Sequence, residues 1–310
     1  MKTRKFKFLN NPWFKLLILT VGFSVLIKIF SGPDFTTYFQ ILNIKLIIFF
    51  FLFFLSEIFV SLRLKNIINV YPNRITTRDI LIINIKSFFL YFIVPGGIGA
   101  DISRYLNFKY LKKNKDINFL EIIIVDRFIG ITSMFLVLLF SFIFVKQEVI
   151  SFFNFDIKIN MAIIFLIFFF ILIVGSLMRG YLKRISTSKI IKKKIRKFLK
   201  KKELIIKSLV CSLVTNTCLI SPIYFISNYL AFDLHFIEIC FVISASVFLS
   251  MIPLSLLGIS GLELGSYFLY SLLGLESEKA FFLVFSLFLF RFMLALIGGV
   301  MELASAIKNK

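Results

Sequence analysis

One histidine, His235, occurs in 310 residues, and that scarcity excludes a multi-histidine metal site. The three cysteines, Cys211, Cys218 and Cys240, are odd in number and lie inside apolar segments. They form neither a disulfide framework nor a zinc-ligand spacing, and read as small packing residues. Charge is sparse as well. Only 17% of residues are Asp, Glu, Lys or Arg, against about a quarter in soluble domains. No soluble domain accompanies the +21 net charge, so nucleic-acid binding is a poor explanation for it. A small-residue cleavage site is missing after the basic and apolar stretch from Met1 to Lys28; "SGPDFTTYFQ" leads straight into the next apolar run. That stretch therefore reads as a retained first helix, not a signal peptide.

What is abundant is hydrocarbon. Hydrophobic residues make up 59% of the chain and the mean hydropathy is +0.94. They come in blocks such as "LIIFFFLFFLSEIFVSL" and "INMAIIFLIFFFILIVGSLM", long enough for a bilayer core of roughly 30 Å. The 43 phenylalanines carry no functional weight of their own. Spans are expected near 13–31, 41–60, 117–145, 159–178, 204–230 and 279–302, with interrupted pairs near 80–108 and 238–274. Lys and Arg crowd the N-terminus and the connections at 61–79, 104–116 and 179–203, the last holding twelve. The connections at 32–40 and 231–238 hold none. This asymmetry places both termini in the cytoplasm.

The first interruption is "YFIVPGGIGADISRYLNFKY", residues 91–110. Basic connections flank it on both sides, so the segment enters and leaves on one face. Pro95, Gly96, Gly97 and Gly99 then form the tip of a re-entrant hairpin, where non-helical backbone is tolerated if it is buried or lines a cavity. The second interruption, "SMIPLSLLGISGLELGSYFLYSLLG", has its tip at Pro253, Gly258 and Gly261 and opens to the opposite face. Each half reads span, span, hairpin, span. Asp101 precedes Arg127 by 26 residues and Glu263 precedes Arg291 by 28. Paired Pro/Gly breaks in an inverted repeat point to a transporter site near the bilayer middle. The expectation is a single integral membrane domain over 1–310, with pseudo-repeats about 1–150 and 155–310. Its class is an all-α polytopic membrane protein of about six full transmembrane helices plus two re-entrant helical hairpins in an inverted repeat.

Ionisable groups within the apolar segments are Lys86, Asp101, Arg104, Asp126, Arg127, Lys207, Glu263 and Arg291, with Glu57 and Glu121 nearer the edges. Such groups face partners or water in preference to lipid. Asp101 and Arg104, three apart, share a helix face and can pair. Asp126 and Arg127 are adjacent, point about 100° apart and serve different partners. Two readings stand: a polar cavity that holds a headgroup, with Asp101, Arg104, Asp126, Arg127, Glu263 and Arg291 as candidate binding residues, or internal salt bridges that lock the repeats together. The basic segment 179–203 fits an amphipathic helix on anionic inner-leaflet lipid at 181–202, or an orientation signal alone. "GISG" at 258–261 is not a nucleophile elbow, because Leu262 takes the place of the second glycine.

With these residues in view, the chain resembles the transmembrane, flippase-like domain of the lysylphosphatidylglycerol synthase family. "VPGGIGADISR", "DRFIG", "IPLSLLGISGLELGSYFLYSLLGLESEKA" and "FRFMLALIGG" carry the resemblance, and with the span pattern they cover nearly the whole chain. Pro95, Gly96, Gly99, Asp101 and Arg104 stand where that family has them. The second motif departs: Ser260 interrupts a glycine pair, Leu262 replaces an arginine, and Glu263 remains. The chain ends eight residues after Glu302, so the resemblance implies the translocating part without the soluble aminoacyl-transfer domain, and no enzymatic role. It also implies a lipid-translocating protein of the cytoplasmic membrane, and the excess of Lys86, Arg104, Arg127, Lys207 and Arg291 over Asp101, Asp126 and Glu263 favours a phosphate-bearing headgroup, anionic or zwitterionic. An ion- or proton-coupled solute transporter, a membrane enzyme acting on lipid and a non-transporting accessory protein remain as alternatives. No cofactor and no metal is expected, and the oligomeric state is open.

Overall fold

The computed structural model describes residues 45–71, 75–93, 98–110, 119–145, 202–250 and 261–308. All regular structure among the described residues is helical, in eight helices. In chain order these are α1 (Lys45–Ile68), α2 (Thr77–Ile93), α3 (Ile98–Tyr110), α4 (Phe119–Phe144), α5 (Lys202–Tyr229), α6 (Phe236–Leu249), α7 (Gly261–Leu272) and α8 (Ser277–Lys308). Four of them, α1, α4, α5 and α8, are long and apolar enough to cross a membrane. The chain is thus an all-α polytopic membrane protein. The other four fall in two pairs, α2 with α3 and α6 with α7, where the sequence has its Pro/Gly interruptions. Their 17, 13, 14 and 12 residues span roughly 18–26 Å at about 1.5 Å per residue, short of the hydrocarbon thickness. Pro95, Gly96, Gly97, Pro253 and Gly258 lie outside the described residues, as do the expected spans near 13–31 and 159–178 and the basic segment 179–203.

Local chemistry starts both pairs in the same way. At α2, Thr76 and Asp79 cap reciprocally: the Thr76 N–H donates to Asp79 Oδ2 at 3.0 Å and the Asp79 N–H to Thr76 Oγ1 at 3.2 Å. At α6, Glu238 reaches back to accept the His235 N–H at 2.8 Å. Each acidic side chain satisfies a donor that the helix leaves unpaired and sits at the positive end of the dipole. The chain leaves α7 through Gly274, whose φ of +82° belongs to a glycine C-cap.

α1 and α5 pack antiparallel along their length. Lys45 lies over the Tyr229 ring, Phe49 stacks on Phe225, Arg63 meets Ser212 and Asn66 meets Cys211. Several of the other contacts come in matched sets. α2 packs on α8 as α6 packs on α4; α3 contacts α4 as α7 contacts α8; α1 contacts α2 as α5 contacts α6. α8 is the most enclosed span, with 72% of its most apolar stretch buried against 33% in α1 and α4. Gly298 makes that possible at its crossing with α2, since a Cβ there would run into the Ile85 carbonyl oxygen and Lys86 Cα.

Two apolar cores result. One unites the N-terminal half of α1, the C-terminal half of α5 and α6 to α8, around Phe53, Ile223, Val242, Phe282 and Leu294. The other unites the C-terminal end of α1 with α2, α3 and the start of α4, around Leu64, Ile68, Ile80, Phe108 and Ile122. Along α1 the buried residues between them are, apart from Val60, polar: Ser56, Glu57, Ser61 and Arg63. Along α5 they are Ser212, Thr215 and Asn216. A polar layer therefore separates the cores.

Candidate functional site

The layer is built around Arg63. The sequence places this residue in a cytoplasmic connection at 61–79, but α1 continues to Ile68 and carries Arg63 inside the protein. The helix continues because Leu64, Ile67 and Ile68 complete the second core. Arg63 occupies the same buried stripe as Phe49, Phe53, Glu57 and Val60, at helical spacing. Its charge is met by Asp126 in a two-pronged pair, Nε to Oδ1 at 2.7 Å and Nη2 to Oδ2 at 3.0 Å. The third arm donates to Ser212 Oγ at 2.9 Å. Ser212 Oγ lies 2.5 Å from Ser133 Oγ, which also accepts from Asn216 Nδ2 at 3.1 Å. Gly130, in "DRFIG", leaves room for the guanidinium: a Cβ there would stand 3.1 Å from Arg63 Nη1. One buried network thus joins α1, α4 and α5.

Asp126 and Arg127 do serve different partners. Arg127 turns to Asp101 on α3, with Nε 3.1 Å from Oδ1 and 3.0 Å from Oδ2, and Nη2 3.0 Å from Oδ1. This pair is open, with side chains 46% and 29% exposed for Arg127 and Asp101. Arg104 stands between the sealed pair and the open one, 3.8 Å from Asp126 Oδ2 and 3.9 Å from Asp101 Oδ1. Both distances exceed hydrogen-bond reach, and Arg104 Nε is buried without a hydrogen-bond partner.

In the second half, Arg291 on α8 pairs with Glu263 on α7, both nearly inaccessible. Arg291 Nη1 also donates to Tyr91 Oη on α2 at 2.8 Å. Gly261 starts α7 where a Cβ would strike the Leu249 carbonyl and the Ser250 nitrogen at the end of α6. Glu263 thereby lies one half-turn into a helix held tightly against its neighbour. Of the six candidate binding residues, Asp101, Arg104, Asp126 and Arg127 come together directly. Glu263 and Arg291 form their own pair, with Tyr91 of α2 hydrogen-bonded to Arg291.

Lys207 does not join them. It is exposed on the first turns of α5 and pairs with Glu203 at 2.6 Å, which withdraws it from the buried positive charge. Lys86 lies 3.9 Å from Glu302 and donates to Ser305 at 3.0 Å, while Asn107 donates to Glu302 at 3.0 Å. That cluster ties α2 and α3 to the far end of α8. Among the described residues, no group of three or more His, Cys, Asp or Glu side chains is placed to hold a metal ion.

A family model described as the lysylphosphatidylglycerol synthase TM region matches residues 13–299. The chain belongs to this family. No curated protein and no solved structure matches. The lysylphosphatidylglycerol synthase transmembrane match covers both charge groups and both interrupted pairs, so the site just described lies wholly within the family's membrane region. The chain is accordingly a multi-pass membrane protein of a lipid-related family.

Proposed function

We propose that the protein translocates a phosphate-bearing lipid headgroup between the leaflets of the cytoplasmic membrane. Arg127 and Arg104 grip the headgroup, and Asp101 is the carboxylate displaced when it enters. The observation that carries this reading is the contrast between the ion pairs. Arg63–Asp126 and Arg291–Glu263 are sealed and hold helices together, whereas Arg127–Asp101 is open and stands beside an arginine whose Nε has no partner. Arginine is suited to this work because its planar fork matches two phosphate oxygens at once.

The inverted-repeat reading supports the same function. The matched helix contacts and the antiparallel run of α1 against α5 are what a two-fold relation between halves of opposite orientation would produce. Short helix pairs that enter and leave on one face would let one half rock against the other around a fixed site. The ion pairs that bridge α3 to α4 and α7 to α8 would be the contacts remade in each cycle.

The test is transport of fluorescent phosphatidylglycerol in reconstituted vesicles. Asp101→Asn removes charge with little change of shape, and Arg127→Lys keeps charge but loses the fork. Both variants are expected to insert and purify as wild type does, and to fail in transport. Full transport by both would assign these charges to structure alone.

A further inference from the structure

The carboxylate of Glu302, near the end of α8, meets both arms of the α2–α3 pair. Asn107 Nδ2 on α3 donates to its Oε1 at 3.0 Å, and Lys86 Nζ on α2 stands 3.9 Å from its Oε2. Asn107 also reaches back along α3 to the Ser103 carbonyl at 3.0 Å, next to Arg104 and two residues from Asp101. α2 and α8 run antiparallel, since Tyr91 meets Arg291 while Ile85 and Lys86 meet Gly298. The Glu302 contacts therefore lie toward the start of α2 and the end of α3, one helical turn beyond the close Gly298 crossing. They differ from the sealed pairs Arg63–Asp126 and Arg291–Glu263. The Lys86 and Glu302 side chains are 13% and 23% exposed, and their charged atoms are beyond hydrogen-bond reach. A partly hydrated contact of this kind can break without leaving a dry charge, because water replaces either partner.

In the repeat reading, α2 and α3 belong to one half and α8 to the other, so this contact crosses between the halves. Its counterpart would join α6 and α7 to α4. The correspondence of Asp101 with Glu263, Arg127 with Arg291 and Pro95 with Pro253 puts Leu269, Leu138 and Ser244 at the positions matching Asn107, Glu302 and Lys86. Two of these are apolar, and Ser244 Oγ donates within its own helix, to the Cys240 and Phe241 carbonyls. Ring contacts, Phe135 with Phe248 and Phe142 with Phe241, join α4 to α6 instead. Among the described residues, one side is thus fastened by polar groups and the other by aromatic packing. We infer that Glu302 is a latch that holds the α2–α3 pair shut on α8, and that it releases Asn107 and Lys86 each time a headgroup enters or leaves on that face. The inference rests on the headgroup reading above and adds the step that admits the headgroup. If the halves rock, α3 cannot carry Asp101 and Arg104 away from α8 while Asn107 is bound to Glu302. In the released state water solvates the carboxylate; no proton is transferred and no covalent bond changes.

A structural tie stays made throughout the cycle and a latch does not, and the experiment turns on that difference. In a background without Cys211, Cys218 and Cys240, Asn107→Cys and Glu302→Cys are introduced together and bridged with a short bis-methanethiosulfonate. Transport of fluorescent phosphatidylglycerol is then measured in reconstituted vesicles before and after reduction. The bridged protein is expected to transport nothing and to regain transport on reduction. The same variant capped with methyl methanethiosulfonate should transport, because nothing then spans the two helices. Undiminished transport by the bridged protein would overturn the latch and leave the headgroup site standing. The second measurement needs no lipid movement: the rate at which an impermeant maleimide labels Ser103→Cys, a position 1% exposed beside Asn107. Glu302→Ala and Asn107→Leu should each raise that rate about tenfold, as loss of a hydrogen bond to a charged group implies. An unchanged rate would overturn the latch, and either variant decides the matter if the other does not fold. Failure of wild type to transport phosphatidylglycerol would overturn the headgroup reading, with the labelling rates still deciding the latch.

Discussion

Replacing Asp126 by alanine is the most severe test of how the polar layer is held. Asp126 is 1% exposed and accepts two charge-assisted hydrogen bonds from Arg63. It is also one of the two carboxylates within 4 Å of Arg104. Its removal leaves Arg63 buried with Ser212 as its remaining hydrogen-bond acceptor. Breaking a buried pair from one side costs roughly 3–5 kcal/mol, a large part of a net stability of about 5–15 kcal/mol. The pair as a whole contributes much less, since apolar groups in place of both partners often leave stability unchanged or raise it by about 1–4 kcal/mol. The double variant Arg63→Met/Asp126→Leu should therefore be more stable than Asp126→Ala, while falling short of wild type because Arg104 still loses a neighbour. A double-mutant cycle of Arg63→Met and Asp126→Leu, read by reversible unfolding in mixed SDS micelles, should give a coupling energy of at least about 2 kcal/mol. The exposed Lys207→Gln serves as control and should unfold like wild type. If the single variants simply add, or match Lys207→Gln, the network is not what holds α1, α4 and α5 together.

Gly298→Val should force α8 off α2, because the new side chain meets backbone at Ile85 and Lys86 and cannot be accommodated by a rotamer change. A loss at the upper end of the roughly 1–3 kcal/mol typical of overpacking is expected in the same unfolding assay. Gly274→Ala meets nothing within 4 Å and should lose only about 1–2 kcal/mol, from its positive φ alone; equal losses at the two positions would contradict the close crossing. For orientation, single cysteines at Asn114 and Ser188, in a background without Cys211, Cys218 and Cys240, should react with an impermeant maleimide only from the cytoplasm. Cysteines at Thr36 and Ser277 should react only from outside. Reaction of the Asn114 cysteine from outside would turn α2 and α3 from a re-entrant pair into a crossing.

Legibility in the sequence follows the type of signal. The long spans are readable because 24 to 32 residues of nearly unbroken apolar character admit few other structures. The pairings of Asp101 with Arg127 and of Glu263 with Arg291 are foreshadowed by matched separations, since both bridge a short helix to the next long one. Arg63 escapes notice when basic residues are counted as markers of the cytoplasmic face, and Lys65 two positions on strengthens that count. The better signal is its register on the stripe Phe53, Glu57, Val60, Leu64, Ile67, where a charge must find a buried partner. Lys207 misleads for the converse reason: it sits within an apolar run but on the exposed face of α5, opposite the stripe of Ser208, Ser212, Thr215 and Asn216. The reciprocal cap of Thr76 with Asp79 and the one-way cap of Glu238 on the His235 N–H are present as T-x-x-D and H-x-x-E patterns that mark the starts of α2 and α6.

The two halves share a plan and differ in how much of it they close. Asp101–Arg127 and Glu263–Arg291 occupy corresponding places, yet the second is sealed and the first is open. The second half is also where the resemblance noted in the sequence weakens, with Leu262 where it leads one to expect an arginine beside Glu263. An added guanidinium there would need its own counterion in a region that Leu249, Leu262 and Tyr270 make apolar. With leucine instead, Glu263 pairs with Arg291, and no second guanidinium has to be buried beside that pair. The first half retains its full set, Asp101, Arg104, Asp126 and Arg127, and adds Arg63 and Glu57 from α1. Among the described residues, the arginines proposed to meet an entering anion, Arg104 and Arg127, both lie on the α3–α4 side. The proposed headgroup site accordingly belongs to α3 and α4.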